Sequence, residues 1–109
     1  LMEGVQREGH QPIWMSDPMH ANTVTASDGR KTRYIEAIIR ELTAFQDAAM
    51  AEDIRAGGVH LETTIDAVRE CLRGPDDLRS RDDPYTTLCD PRLTVEQAVE
   101  VLSHWRIRD

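Results

Sequence analysis

Ile35-Glu36-Ala37-Ile38-Ile39-Arg40-Glu41-Leu42-Thr43-Ala44-Phe45-Gln46-Asp47-Ala48-Ala49 leads, seven residues later, into Gly57-Gly58-Val59-His60-Leu61-Glu62. In the first stretch Ile35, Ile38, Leu42, Phe45 and Ala49 recur at steps of three and four, which lines one face of a helix, with Glu36, Arg40, Glu41 and Asp47 between them. The spacing predicts a helix from about Lys31 to Ala56, ended by Gly57-Gly58, where a missing Cβ permits a left-handed cap. In the second stretch Val59 and Leu61 alternate with His60 and Glu62, the period of a strand. Leu61, Ile65, Val68 and Leu72 also keep helical spacing. The prediction is therefore a strand to Glu62, then a helix from about Thr63 to Arg73, stopped by Gly74-Pro75.

Upstream, Pro12-Ile13-Trp14-Met15-Ser16 is a short apolar run closed by Asp17-Pro18, the mark of a buried strand. Strand, long helix and strand in that order make a βαβ unit with parallel strands, so the fold class is α/β. Leu1–His10 is polar and without period. Asn22–Gly29, rich in Thr, Ser, Asp and Gly, reads as a loop, Asp76–Pro84 as a charged loop, and Tyr85–Asp90 as a short extended segment. Thr94 with Gln97 three residues on forms a capping box that opens a last helix, with Val95, Ala98, Leu102 and Trp105 on one side. Two strands are too few for a stable parallel sheet, so the chain either pairs with something or belongs to a larger α/β domain.

Composition agrees. A chain of 109 residues fits one domain, and 39% hydrophobic with 30% charged residues is ordinary for a soluble globular protein. Thirteen basic against twenty acidic residues leave a net charge of −7, which argues against a nucleic-acid or anionic-membrane binder. No apolar run approaches the roughly 18 residues of a membrane span. Leu1–His20 lacks the apolar core of a signal peptide, and two cysteines, Cys71 and Cys89, suit a reduced cytoplasm. The start at Leu1 hints at a piece of something longer.

Three segments put polar side chains just beyond apolar ones, where the strands of parallel α/β folds end and active sites form. They carry His20, Glu62 and Asp90. One imidazole and two carboxylates suit a divalent ion such as Mn²⁺, Co²⁺, Fe²⁺ or Zn²⁺. Scattered as they are between His20 and Asp90, the same residues also read as solvated surface groups.

Trp14-Met15-Ser16-Asp17-Pro18-Met19-His20-Ala21-Asn22-Thr23, followed by Lys31-Thr32-Arg33, resembles the C-terminal region of class II 3-deoxy-D-arabino-heptulosonate 7-phosphate (DAHP) synthases. That family shows CDPMHGNT, KTR, GGIHVE and CDPRLN in order; here stand SDPMHANT, KTR, GGVHLE and CDPRLT, and Glu70-Cys71-Leu72 resembles the family's short helix between the last two. The likeness runs from Pro12 to Trp105. Ser16, Ala21 and Thr94 depart from the usual Cys, Gly and Asn without removing a charged or imidazole group.

The resemblance implies a (β/α)8 TIM barrel whose strands seven and eight, with their helices, make up residues 1–109, the upstream strands lying outside this chain. It implies a metal-dependent condensation of phosphoenolpyruvate with erythrose 4-phosphate, in the shikimate pathway or a secondary-metabolism relative. His20, Glu62 and Asp90 would be metal ligands, with Mn²⁺ or Co²⁺ ahead of Zn²⁺ or Fe²⁺. The family's fourth ligand, an early-strand cysteine, and its phosphoenolpyruvate-binding cations have no counterpart here. Lys31 and Arg33, cations ahead of a helix, are candidates to reach a sugar phosphate, or else solvated. His60 is a candidate proton carrier, or a structural hydrogen-bonding ring. Cys89 and Cys71 are expected as small buried thiols. Expected partners are the two substrates, the remainder of the barrel and further copies in a homo-oligomer, without nucleic acid or membrane. The alternative from another class is a small non-catalytic helical module whose N-terminal arm, with Trp14, Met15 and Met19, docks into a partner.

Overall fold

The computed structural model describes residues 1–107; positions 108 and 109 of the expected 1–109 segment lie outside the described residues. Helix α1 (Met2–Arg7) precedes strand β1 (Trp14–Ser16), a 3₁₀ turn at His20–Asn22, strands β2 (Thr23–Thr25) and β3 (Lys31–Arg33), helix α2 (Ile35–Ala51), strand β4 (Ala56–Val59) and helix α3 (Val95–Ser103). Strands β1 and β4 pair in parallel, with Met15 beside Gly58 and Ser16 beside Val59, so the expected βαβ unit is present. Beyond β4 the chain stays extended. The Leu93 amide donates to the Glu62 carbonyl at 3.0 Å, and the Thr64 amide to the Leu93 carbonyl at 2.9 Å. Three chain segments thus lie side by side, and the residues after each come out at one edge.

The core is built from the predicted face of α2, except that Gln46 is buried between Leu42 and Ala49, whereas Phe45, expected on that face, is only partly buried. Ile35, Ile38 and Leu42 pack with Met19, Cys71, Leu93 and Val101, each worth on the order of 2 kcal/mol when buried if large and apolar. Val59 and Leu61 pack against this core while His60 stays exposed, as the alternation predicts. Met19 has no exposed surface, which removes it from any docking arm. The α3 capping box is present, Thr94 Oγ1 accepting from the Gln97 amide at 3.2 Å and Gln97 Oε1 from the Thr94 amide at 3.0 Å. Its inward face is Ala98 and Val101, with Trp105 just past its end, however; Val95, Val99 and Leu102 point outward, correcting the expected side.

Several expected boundaries move for tertiary reasons. Lys31–Arg33, expected inside the helix, pairs with Thr23–Thr25 in an antiparallel hairpin, so Asn22–Gly29 is only partly loop. The first amides of α2, Ile35 and Glu36, donate to the carbonyls of Leu72 and Arg73 at 2.8 and 3.1 Å, replacing a side-chain cap. The helix stops at Ala51, and Asp53 at φ 52° takes the left-handed turn assigned to the glycines. Gly57 sits instead inside β4, where an added Cβ would meet Ile13 Cγ2 at 2.6 Å and the Trp14 carbonyl at 2.8 Å. The helix expected over Thr63–Arg73, including the family-like short helix at Glu70–Leu72, is not formed. Its backbone is spent elsewhere: the Glu70 carbonyl accepts from Thr32 Oγ1, the Leu72 amide donates to that same oxygen, and the Arg69 amide donates to the Pro84 carbonyl. Ile65, placed on the helical face by its spacing, is 94% exposed. In the stretch expected to be aperiodic, α1 forms with an exposed Glu3–Arg7 pair of i,i+4 spacing.

The surface is larger than a finished domain requires. The chain exposes 7064 Å², against about 6100 Å² for a folded monomer of its mass. Its radius of gyration is 15.9 Å, against about 13 Å for a compact chain of this length. No helix of the described residues is long and apolar enough to cross a membrane.

Candidate metal centre

His20 and Glu62 meet at the edge where the three extended segments end, and Asp90 is linked to Glu62 there through the Arg33 guanidinium. Asp17-Pro18 turns the chain after β1, and Asp17 Oδ1 accepts from the amides of Met19 and His20 at 3.1 and 3.3 Å. That local turn starts the 3₁₀ segment and carries the His20 ring outward. Asp17 Oδ2 lies 2.6 Å from His20 Nδ1, while His20 Nε2 lies 2.9 Å from Glu62 Oε1. Burial pushes the Asp17 carboxyl up, but its hydrogen bonds to His20 and the two amides outweigh this and hold it below its ordinary value. The Asp17 contact fixes the ring's orientation and leaves Nε2 facing Glu62, the outer-shell support that ligating imidazoles use.

Glu62 and Asp90 are joined from beneath by Arg33. Arg33 Nη1 donates to Glu62 Oε2 and, at 2.8 Å, to the Pro91 carbonyl; Nε donates to Thr23 Oγ1 at 2.9 Å. Nη2 stands 4.0 Å from Asp90 Oδ2. Lys31 Nζ holds the other oxygen, Asp90 Oδ1, at 3.2 Å from the open side. That hydrogen bond from Lys31 is the main reason the Asp90 carboxyl lies below its ordinary value. The His60 ring stacks beside His20, centroids 5.9 Å apart.

The His20 and Glu62 donors fit a divalent cation. Two adjacent ligands of an octahedral ion, each about 2.1 Å from it, lie about 3 Å apart, and His20 Nε2 and Glu62 Oε1 have that separation. Among the described residues the one group of three such side chains whose donor atoms all lie within 4.8 Å of one another is Asp17, His20 and His60, so Asp90 stands outside the ligand spacing in this structure. His20 belongs both to this group and to the pair with Glu62.

The sequence marks Asp17 only as a turn residue; its spacing of three before His20 is the available signal. Arg33 was read with Lys31 as a loop cation, yet both stand on β3, and the Arg33 side chain has no exposed surface. No signal in the sequence separates a buried arginine from a solvated one. Cys71 is buried as expected, its thiol pushed up to about 12 by burial, whereas Cys89 is exposed, contrary to expectation.

The sequence model of the class-II DAHP synthetase family matches residues 1–104. This chain belongs to that family. It is 46% identical over 106 residues to a protein of Pseudomonas fluorescens named probable phospho-2-dehydro-3-deoxyheptonate aldolase, covering 97% of this chain and 26% of that protein. It is 43% identical over 103 residues to a phospho-2-dehydro-3-deoxyheptonate aldolase of Mycolicibacterium smegmatis, covering 93% of this chain and 22% of the relative. The corresponding enzyme of Streptomyces coelicolor is 37% identical over 103 residues, with 93% and 23% covered. The chain therefore spans about a quarter of the length of these curated relatives, and its α/β architecture is that of a piece of a class-II DAHP synthetase domain.

Proposed function

We propose that this chain is the C-terminal part of a DAHP synthase, a (β/α)8 transferase that condenses phosphoenolpyruvate with erythrose 4-phosphate and releases phosphate. His20, Glu62 and Asp90 are the share of its metal centre contributed here. The observation that supports this reading is the His20–Glu62 contact, with Arg33 linking Glu62 to the Asp90 loop, in a chain of this family. The remaining barrel would contribute a cysteine ligand and the cations that bind phosphoenolpyruvate, in a soluble, cytoplasmic homo-oligomer.

A divalent ion, Mn²⁺ or Co²⁺ before Zn²⁺ or Fe²⁺, held by His20, Glu62 and Asp90 would supply Lewis acidity toward the aldehyde of erythrose 4-phosphate, the electrophile for the weakly nucleophilic enol-phosphate carbon of phosphoenolpyruvate. The chain's own residues orient and hold. Asp17 keeps the His20 ring in one rotation and leaves Nε2 available. Glu62 and Asp90 contribute negative charge, and Arg33 keeps the two from repelling one another. Lys31, half exposed on the open side, is the cation we assign to a substrate phosphate. His60, exposed beside His20, is the imidazole we assign to carry a proton as water adds to the second carbon.

In the complete enzyme Glu62→Ala abolishes phosphate release while the far-ultraviolet dichroism stays unchanged; retained turnover would refute the ligand assignment. The 109-residue chain alone, given both substrates and Mn²⁺, releases no phosphate.

A further inference from the structure

We propose that Arg33 is the positioning residue of this centre: its buried guanidinium sets the spacing between the Glu62 carboxylate and the Asp90 loop before any cation arrives. The proposal rests on the metal reading above and adds to it a residue that is not itself a ligand.

The Arg33 side chain has no exposed surface, so a substrate phosphate has no route to it in this conformation. Its planar fork joins Glu62, the Asp90 loop and β2. Nη1 reaches both Glu62 Oε2 and the Pro91 carbonyl, so one nitrogen ties the end of the β4 segment to the residue after Asp90. Nε is braced by Thr23 Oγ1 from β2, which stops the fork from rotating. Nη2 is the one buried side-chain nitrogen or oxygen among the described residues without a hydrogen-bond acceptor. A buried donor left open is costly, and this one points toward Asp90 Oδ2 at 4.0 Å. Closing that gap needs a shift of about 1 Å to reach ordinary hydrogen-bond length. Asp90 is therefore offered two holding points, Lys31 Nζ from solvent and Arg33 Nη2 from beneath.

Electrostatics and positioning predict opposite signs for Mn²⁺ binding. A cation fixed among the ligands repels an incoming cation, so if charge were all that mattered, replacing Arg33 by a neutral residue would tighten binding. If Arg33 positions the ligands, its loss weakens binding by the tenfold to hundredfold typical of outer-shell partners. Lysine keeps the charge but is a point donor that cannot span Glu62, Pro91 and Thr23 together.

The experiment titrates Mn²⁺ into the complete enzyme without substrates, reading free Mn²⁺ by electron paramagnetic resonance, for wild type, Arg33→Gln, Arg33→Lys and Thr23→Val. Wild type binds; both Arg33 variants bind at least tenfold more weakly; Thr23→Val, which leaves the charge and removes only the Nε brace, weakens binding severalfold. Equal or tighter binding by Arg33→Gln, or full rescue by Arg33→Lys, overturns the proposal while leaving the metal reading intact. Should the Arg33 variants not fold, unchanged binding by Thr23→Val overturns it. Absence of Mn²⁺ binding by wild type would overturn both.

Discussion

Replacing Glu70 by Gln should loosen the loop that carries Asp90. The Glu70 carboxylate is fully buried and receives six hydrogen bonds from one stretch of chain, the longest of them from Thr86 Oγ1 at 3.5 Å. Oε1 accepts from the Arg92 amide and Nε, both at 3.0 Å; Oε2 accepts from Arg92 Nη2 at 2.8 Å and from the Thr87 and Thr86 amides at 2.9 and 3.1 Å. Burial pushes its pKa up, but Arg92 and the three amides win and hold it below the ordinary 4.5. Glutamine keeps one carbonyl oxygen and turns an NH₂ toward the other donors. At least two donors lose their acceptor, at about 1–3 kcal/mol each, partly relieved because Arg92 reaches solvent. The net loss is about 3 kcal/mol, or roughly a hundredfold in the local opening equilibrium. Hydrogen exchange read by mass spectrometry on the peptide from Pro84 to Leu93 should therefore speed up by about two decades, with other peptides little changed. Exchange in that peptide within twofold of wild type would refute the reasoning. Acid should do the same as the mutation. A carboxyl depressed in the folded state contributes stability above its unfolded value of 4.5 and loses it as pH falls through the lower folded value, so the loop opens below that range.

Gly57→Ala forces a methyl against the Trp14 carbonyl, 2.8 Å away, and should cost about 1–3 kcal/mol by parting β1 from β4, seen as a lower urea midpoint; an unchanged midpoint would contradict the close packing. Thr94→Ala removes one arm of the capping box and should cost about 1 kcal/mol, whereas Thr94→Ser should hold near wild type in the same assay.

What was legible in the sequence was what is decided locally or by a face. The box at Thr94 needs only its own turn, and α2 shows its buried stripe because the whole helix lies on one core. The stretch after Glu62 was not legible, because its helical spacing competes with hydrogen bonds to Thr32, Ile35 and Glu36 that exist only once β3 and α2 are in place. The Gly57-Gly58 pair misled for a related reason. Glycine serves a cap or a close approach equally well, and here the neighbouring strand demands the second. At the site, motif order pointed to His20, Glu62 and Asp90, whose roles need particular chemistry. Arg33 and Glu70 stayed hidden because a charged residue reads as solvated until its partners fold around it. The outward stripe of Val95, Val99 and Leu102 belongs with the enlarged surface, as expected for a segment that completes a larger domain.

The most direct measurement is anomalous diffraction at the manganese edge from crystals of the enzyme grown with Mn²⁺. A peak within bonding distance of His20 Nε2 and of the Glu62 and Asp90 carboxylates, with Asp17 still on Nδ1, is the predicted result. A peak seated on Asp17, His20 Nδ1 and His60 instead, or none at saturating Mn²⁺, would contradict it.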